Sequence, residues 1–145
     1  MQRAVEGFAI IAVSFLGTSL LLQLVDEPIG LTRFDVGVIG DPCPDGGETV
    51  MLPRPFVQLN WNAYAAPAPS LGRFSDTEAN LHRSKAVVCE NKRRLGPAHS
   101  AHTDIATLGN GRFSHYQDQV VFSSSDNSDP NSNGRDYLIV LPSRR

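Results

Sequence analysis

The sequence predicts a mainly β protein, a small sandwich-like domain with two short helices, behind one N-terminal transmembrane helix. Three observations carry this expectation. Phe8–Val25, FAIIAVSFLGTSLLLQLV, holds no formal charge over 18 residues, close to the about 20 apolar residues a helix needs to cross a bilayer core. Short later runs rich in Val, Ile, Phe and Tyr are bounded by Pro, Gly, Asn and Asp, which is strand punctuation. Two stretches between those runs carry helix-start signals. At 145 residues, 41% hydrophobic and 19% charged, the chain has a one-domain length and enough apolar content for a core. The division that follows is residues 1–26 as membrane anchor or signal segment, 27–33 as tether, and 34–145 as an extracytoplasmic β-rich domain.

Within the N-terminal run, three readings compete. A cleaved signal peptide places the apolar region at Phe8–Leu16 and the cut after Gly17-Thr18-Ser19. The run continues past that point as LLLQLV, where a cleavage zone is ordinarily polar, so an uncleaved anchor over residues 8–25 is the favoured reading. The third is a buried core helix. Arg3 precedes the run while Asp26 and Glu27 follow it, and positive residues stay cytoplasmic. This orientation predicts a single-pass inner-membrane protein with its C-terminal domain in the periplasm or outside the cell.

In chain order, Phe34–Gly40 alternates as a strand, and DPCPDGG stops it. ETVMLPRPFVQLNW offers one or two strands, with Pro53 and Pro55 marking an edge or a break. NAYAAPAPSLGR reads as an extended crossing loop. SDTEANLHR reads as a helix of about two turns, since Ser75 and Glu78 have capping-box spacing. KAVVCEN is a strand with Val87 and Cys89 on one face, and ENKRRL is hairpin-like, with Lys92-Arg93-Arg94 as a solvated turn. GPAHSAHTDIATLGNG predicts a second helix, with Ser100 as N-cap, Ala101, Ile105 and Leu108 on one face, and Gly109 in the left-handed position behind it. GRFSHY, QVVFSSS and RDYLIVL are the last three strands.

Cys43 and Cys89 are the only cysteines. An exported chain meets an oxidising compartment, where a disulfide between them persists and contributes about 3–4 kcal/mol. The alternative is two small buried side chains. Neither a CxxC pair nor a zinc-like spacing is present.

The formal charge of -2, with basic residues scattered, argues against a nucleic-acid partner. The stretch SSSDNSDPNSNGRDYLIV, residues 123–140, raises the question of an ion site. Asp129, Asn131, Asn133 and Gly134 match the first half of the calcium pattern D-x-[DN]-x-[DN]-G-x5-E, but Val140 stands where the bidentate glutamate belongs. Calcium is therefore not expected, nor any other cofactor. The stretch reads first as a long hairpin loop whose Asn, Asp and Ser side chains bond their own backbone. It reads second as a polar surface, with Tyr137, Tyr116 or Trp61 as the aromatic platform that sugar sites favour.

His99, His102, Asp104 and His115 are the candidates for catalysis or zinc, but the helix expected at 101–108 sends His102 and Asp104 to different sides. Serines 114, 123, 124 and 125 lack a G-x-S-x-G elbow, so no catalytic arrangement is evident.

LGPAHSAHTDI, GNGRFSHY, VVFSSSDNSDPNSNGR and the tyrosine that follows together resemble a module found in bacterial proteins, some of them linked to surface-polysaccharide synthesis. The resemblance covers about residues 86–140, with Tyr116 where tryptophan is expected after His115. It implies a setting of envelope glycans and no particular reaction. The resulting expectation is a membrane-anchored extracytoplasmic domain that binds or helps handle an envelope glycan or protein partner. The expected contact residues are Arg112, His115, Asp126, Asn127, Asp129, Asn131, Asn133 and Arg135, combining arginine–carboxylate contacts with hydroxyl hydrogen bonds. The alternatives are a small hydrolase or transferase of surface polysaccharide using the His99, His102 and His115 region, and a structural envelope protein.

Overall fold

A computed structural model describes residues 40–143. The expected anchor at Phe8–Val25 and all but the last residue of the expected strand Phe34–Gly40 lie outside the described residues. Among the described residues, no helix is long and apolar enough to cross a membrane.

Among the described residues, eight strands form two antiparallel four-stranded sheets. They are β1 (Glu48–Met51), β2 (Val57–Asn60), β3 (Ala63–Pro67), β4 (Val87–Glu90), β5 (Arg93–Arg94), β6 (Phe113–Tyr116), β7 (Gln119–Phe122) and β8 (Tyr137–Leu141). One sheet has the order β1-β8-β4-β5 and the other β2-β3-β7-β6. The core lies between them. Val88, Tyr137 and Ile139 from the first sheet join Tyr64, Ala66, Phe113, Val120 and Phe122 from the second in one buried cluster. Period-2 alternation places these residues on the inward faces. The aromatic centre is a trio: the Phe56 ring meets Phe122 at 5.1 Å and Tyr137 at 5.6 Å, both edge-on. Such pairs each add about 0.5–1.5 kcal/mol beyond their buried area.

Strand β3 corrects one expectation. The AYAAP run is not a crossing loop but an interior strand, followed by a 3₁₀ helix over Pro69–Phe74. Both faces of β3 are covered, because helix α1 (His102–Thr107) packs on the outer side of its sheet. Ala63, Ala65 and Val121 there meet Ile105 and Ala106. Small side chains let the helix sit close, so alanine here marks a two-sided interior strand.

The helix expected over SDTEANLHR is absent. Ser75 donates its hydroxyl to Gly72 O at 2.7 Å, and Thr77 Oγ1 accepts from Asn80 N at 3.2 Å. Ser75, the expected cap, closes a turn instead, as does Thr77 beside it. Helix α1 itself forms, but its N-cap is Ala101, and Ser100 donates its hydroxyl to Pro97 O. Its buried face is Ile105 and Ala106, whereas Leu108 is 50% exposed. Gly109 has φ +59°, as the left-handed position requires.

The β4–β5 hairpin turns on Asn91 (φ 48°) and Lys92 (φ 65°), so an Asn-Lys pair supplies the positive φ values such a turn needs. Of the expected solvated turn, only Lys92 lies in the turn; Arg93 and Arg94 form β5. A short segment covers the β5 edge: Arg94 N donates to Asp41 O and Cys43 N to Lys92 O, each at 2.8 Å. Cys43 and Cys89 are disulfide-bonded, with Cα atoms 6.0 Å apart, which fastens that segment to β4.

Candidate functional site

The loop 123–136 crosses the aromatic trio and spends its side chains on holding itself there. Asn131 Oδ1 accepts from Phe56 N at 2.7 Å, and its Nδ2 donates to Phe56 O at 3.0 Å. Asn133 Nδ2 donates to Tyr137 Oη at 2.8 Å, and Asp129 Oδ1 accepts from Asn131 N at 2.9 Å. Asn127 Oδ1 accepts from Asn110 N at 2.6 Å, tying the loop to the end of α1. A Cβ at Gly109 would lie 2.0 Å from that same oxygen, so glycine is required there for space as well as for φ. Arg112 Nη1 donates to Gly109 O at 3.0 Å. Arg54 completes the clamp, donating to Pro130 O at 3.1 Å and to Arg135 O.

Beneath the loop sits an ionic cluster. Glu90, buried on β4, accepts from Tyr137 Oη at 2.7 Å, from Arg135 Nη1 at 3.2 Å and from Ser125. Arg135 grips Asp126 with both Nη atoms, at 2.9 and 2.5 Å. Hydrogen bonds from Arg135 and Ser128 hold the Asp126 carboxyl well below the usual carboxylate range. Burial pushes the Tyr137 hydroxyl well above its ordinary value. Six of the eight expected contact residues thus spend hydrogen bonds on holding the loop, while Asp126, Asn127, Asp129 and Asn131 keep exposed surface; a seventh, Arg112, braces the turn behind α1.

The eighth, His115, is 1% exposed on β6. Its Nδ1 lies 2.8 Å from Ser84 Oγ, while Nε2 has no partner among the described residues. Burial pushes its pKa below 6.5, with the Asp76 carboxylate opposing and His99 reinforcing the shift.

What the fold assembles beside β6 is a different constellation. Asp76 N donates to His115 O at 2.8 Å, and Asp76 bridges in parallel to Tyr116, so the segment after the 3₁₀ helix is stitched along the β6 edge. The Asp76 carboxylate is buried. Its Oδ1 accepts from Ser84 N at 2.7 Å, and its Oδ2 lies 2.7 Å from His99 Nδ1. His99 has φ +55°, a left-handed backbone that costs a non-glycine residue about 1–3 kcal/mol and that the Asp76 bond helps to hold. The His82 ring meets it edge-on at 4.8 Å.

A cleft of about 360 Å³ opens here, lined by His99, His102, Glu78, Leu81, Ser114 and Tyr116 together with Asp76. With Nδ1 committed to the carboxylate, the His99 ring is fixed in tautomer and direction, and Nε2 is left to accept or donate. Of the four histidine-region candidates, His99 and His102 share this cleft, His115 lies behind it, and exposed Asp104 is not among its lining. Among the described residues, no group of three or more His, Cys, Asp or Glu has the arrangement to hold a metal ion.

Asp76, Glu78, His82 and Ser84 were not among the sequence candidates. Their segment carried a helix-start pattern, and a helix would have dispersed them. The signal available was the density of Asp, Glu, His and Ser over residues 75–84 within a single turn-rich stretch.

Neither a family model, a curated protein nor a solved structure matches this chain.

Proposed function

We propose that this chain is a membrane-anchored, extracytoplasmic β-sandwich domain that binds an envelope glycan in the cleft beside β6. The observation that carries the reading is the Asp76–His99 pair. A buried carboxylate fixes an imidazole at the wall of a concave surface that also presents Tyr116, His102 and Glu78. Sugars are bound by planar, multivalent hydrogen-bonding groups set beside an aromatic face, and preorganised groups bind without an ordering cost. The uncharged run Phe8–Val25 supports the anchor, and the Cys43–Cys89 disulfide supports an oxidising compartment.

The test is a glycan array probed with the full chain in detergent. The expected outcome is retention by the wild type, its loss in Tyr116→Ala with the unfolding midpoint preserved, and its loss in His99→Ala, which also strands Asp76 and lowers the midpoint. Retention that survives both substitutions overturns the assignment of the cleft. Absence of retention in the wild type favours a structural envelope protein.

The same dyad favours a second reading, a hydrolase or transferase of surface polysaccharide. A carboxylate-held imidazole is the arrangement of a general base, and here it sits on a strained backbone in a cleft that Ser114 also lines. Release of new reducing ends from isolated envelope polysaccharide, abolished in His99→Gln, distinguishes catalysis from binding.

A further inference from the structure

The segment that builds the dyad cleft also builds a second concavity. Asp76, Glu78 and Leu81 line the first, and Arg73, Phe74, Arg83 and Lys85 line the second, where Leu141 and Pro142 complete a groove of about 580 Å³. Three cations around one concavity stand out in a chain whose formal charge is -2. Among the described residues, Arg73 is the one of the three with an ion pair, to Glu48 at 4.0 Å, between two side chains that are well exposed. Lys85 has no ion pair among the described residues. The arginines are held in place by contacts that leave their charge available. Arg73 lies over the Phe74 ring at 4.6 Å, and Arg83 donates to Arg73 O.

We infer that the groove binds the acidic substituents of a polysaccharide, so that the glycan recognised by this domain is an anionic one. The inference rests on the glycan-binding reading above and specifies its substrate class. Mutually repelling cations around a concavity focus a positive potential into it. Guanidinium groups pair with planar carboxylates or with phosphates through parallel N–H bonds. Because one stretch, residues 73–85, contributes to the lining of both concavities, a polymer lying along it meets the cations in one and His99 with Tyr116 in the other. A lipid surface fits less well. The groove is recessed, and none of the exposed large apolar side chains, Met51, Val57, Leu59, Trp61, Leu81 and Leu108, lines it to enter a bilayer.

The experiment measures binding of the full chain, in zwitterionic detergent, to immobilised polygalacturonate, to neutral dextran, and to micelles doped with phosphatidylglycerol. The expected result is salt-sensitive binding to polygalacturonate alone. That binding should weaken about tenfold in Lys85→Gln and further in Arg83→Gln/Lys85→Gln, a loss of the size expected for a charge-assisted contact. Lys85 makes no hydrogen bond or ion pair among the described residues, so its variant keeps the fold. Equal binding to dextran that ignores both variants but is lost in His99→Ala overturns the anionic assignment while leaving the cleft reading intact. Binding only to doped micelles, or no polysaccharide binding at all, overturns both.

Discussion

Asn131 bonds both backbone groups of Phe56, accepting from its N–H at 2.7 Å and donating to its carbonyl at 3.0 Å. Phe56 is itself buried and carries the aromatic trio. The loop is thereby pinned to the core by an amide acting as a missing strand partner. Asn131→Ala leaves a backbone N–H unpaired near the core, which costs about 1–3 kcal/mol. Urea unfolding should show that loss. Ser132→Ala, at an exposed neighbour whose hydroxyl makes only a 3.5 Å contact with Asp129 O, should unfold like the wild type.

The Cys43–Cys89 bond closes a loop of sequence separation 46. Chain-entropy arguments for a loop of that size give about 4 kcal/mol from restriction of the unfolded state. Reduction, or the Cys43→Ala/Cys89→Ala pair, should lower the urea midpoint accordingly without changing the strand content seen by circular dichroism. An unchanged midpoint would mean that the segment before β1 contributes nothing to the domain's stability.

Where sequence patterns and structure agree, the side chains report one dominant force. QVVF and YLIVL are strands because alternation of large apolar residues has one burial solution between two sheets. Gly109 is legible because a positive φ has few takers. AYAAP is hidden, because alanine's lack of bulk says nothing until the helix that covers it is known. SDTEAN misleads, since the Ser75 hydroxyl serves a turn carbonyl and Thr77 Oγ1 a turn amide as readily as they would serve a helix end. The loop 123–136 is half legible: its composition announces local bonding, but not that Asn131 reaches back to Phe56. Asp76 meets His99 across 23 residues, and no local pattern encodes that encounter. The disulfide is legible only as a choice between two states, since approach of the Cα atoms is a property of the fold.

His115 supplies a pH dependence. Its burial lowers the folded pKa below 6.5, so between the two values the unfolded chain binds more protons than the native one. Stability from this residue is therefore complete above about pH 6.5, and it is lost as pH falls through the folded value. Asp76 and His99 act on the ring in opposite directions, Asp76 raising its pKa and His99 lowering it. Melting temperatures from about pH 7.5 down to about pH 5 should fall more steeply for the wild type than for His115→Gln. Parallel curves would show that His115 stays unprotonated throughout or is not enclosed in solution.

Arg135 tests whether the loop is architecture or recognition surface. It bridges buried Glu90 and exposed Asp126, and those two partners predict different penalties. Without Arg135, Glu90 keeps Tyr137 and Ser125 as donors but loses its counter-charge in a site of 9% side-chain exposure. Breaking a buried pair from one side costs about 3–5 kcal/mol, so Arg135→Ala should destabilise strongly. Asp126→Ala removes a partner that is 51% exposed, where an ion pair contributes about 1 kcal/mol or less. The double variant Arg135→Ala/Glu90→Gln should recover a large part of the loss, because a neutral amide oxygen still accepts from Tyr137 without a stranded charge. Urea unfolding at neutral pH of the wild type, Arg135→Ala, Glu90→Gln and their double variant reads this cycle, with Asp126→Ala measured beside it. Near-wild-type stability of Arg135→Ala combined with lost glycan retention would reverse the assignment, making the guanidinium a ligand contact and the ionic cluster its support.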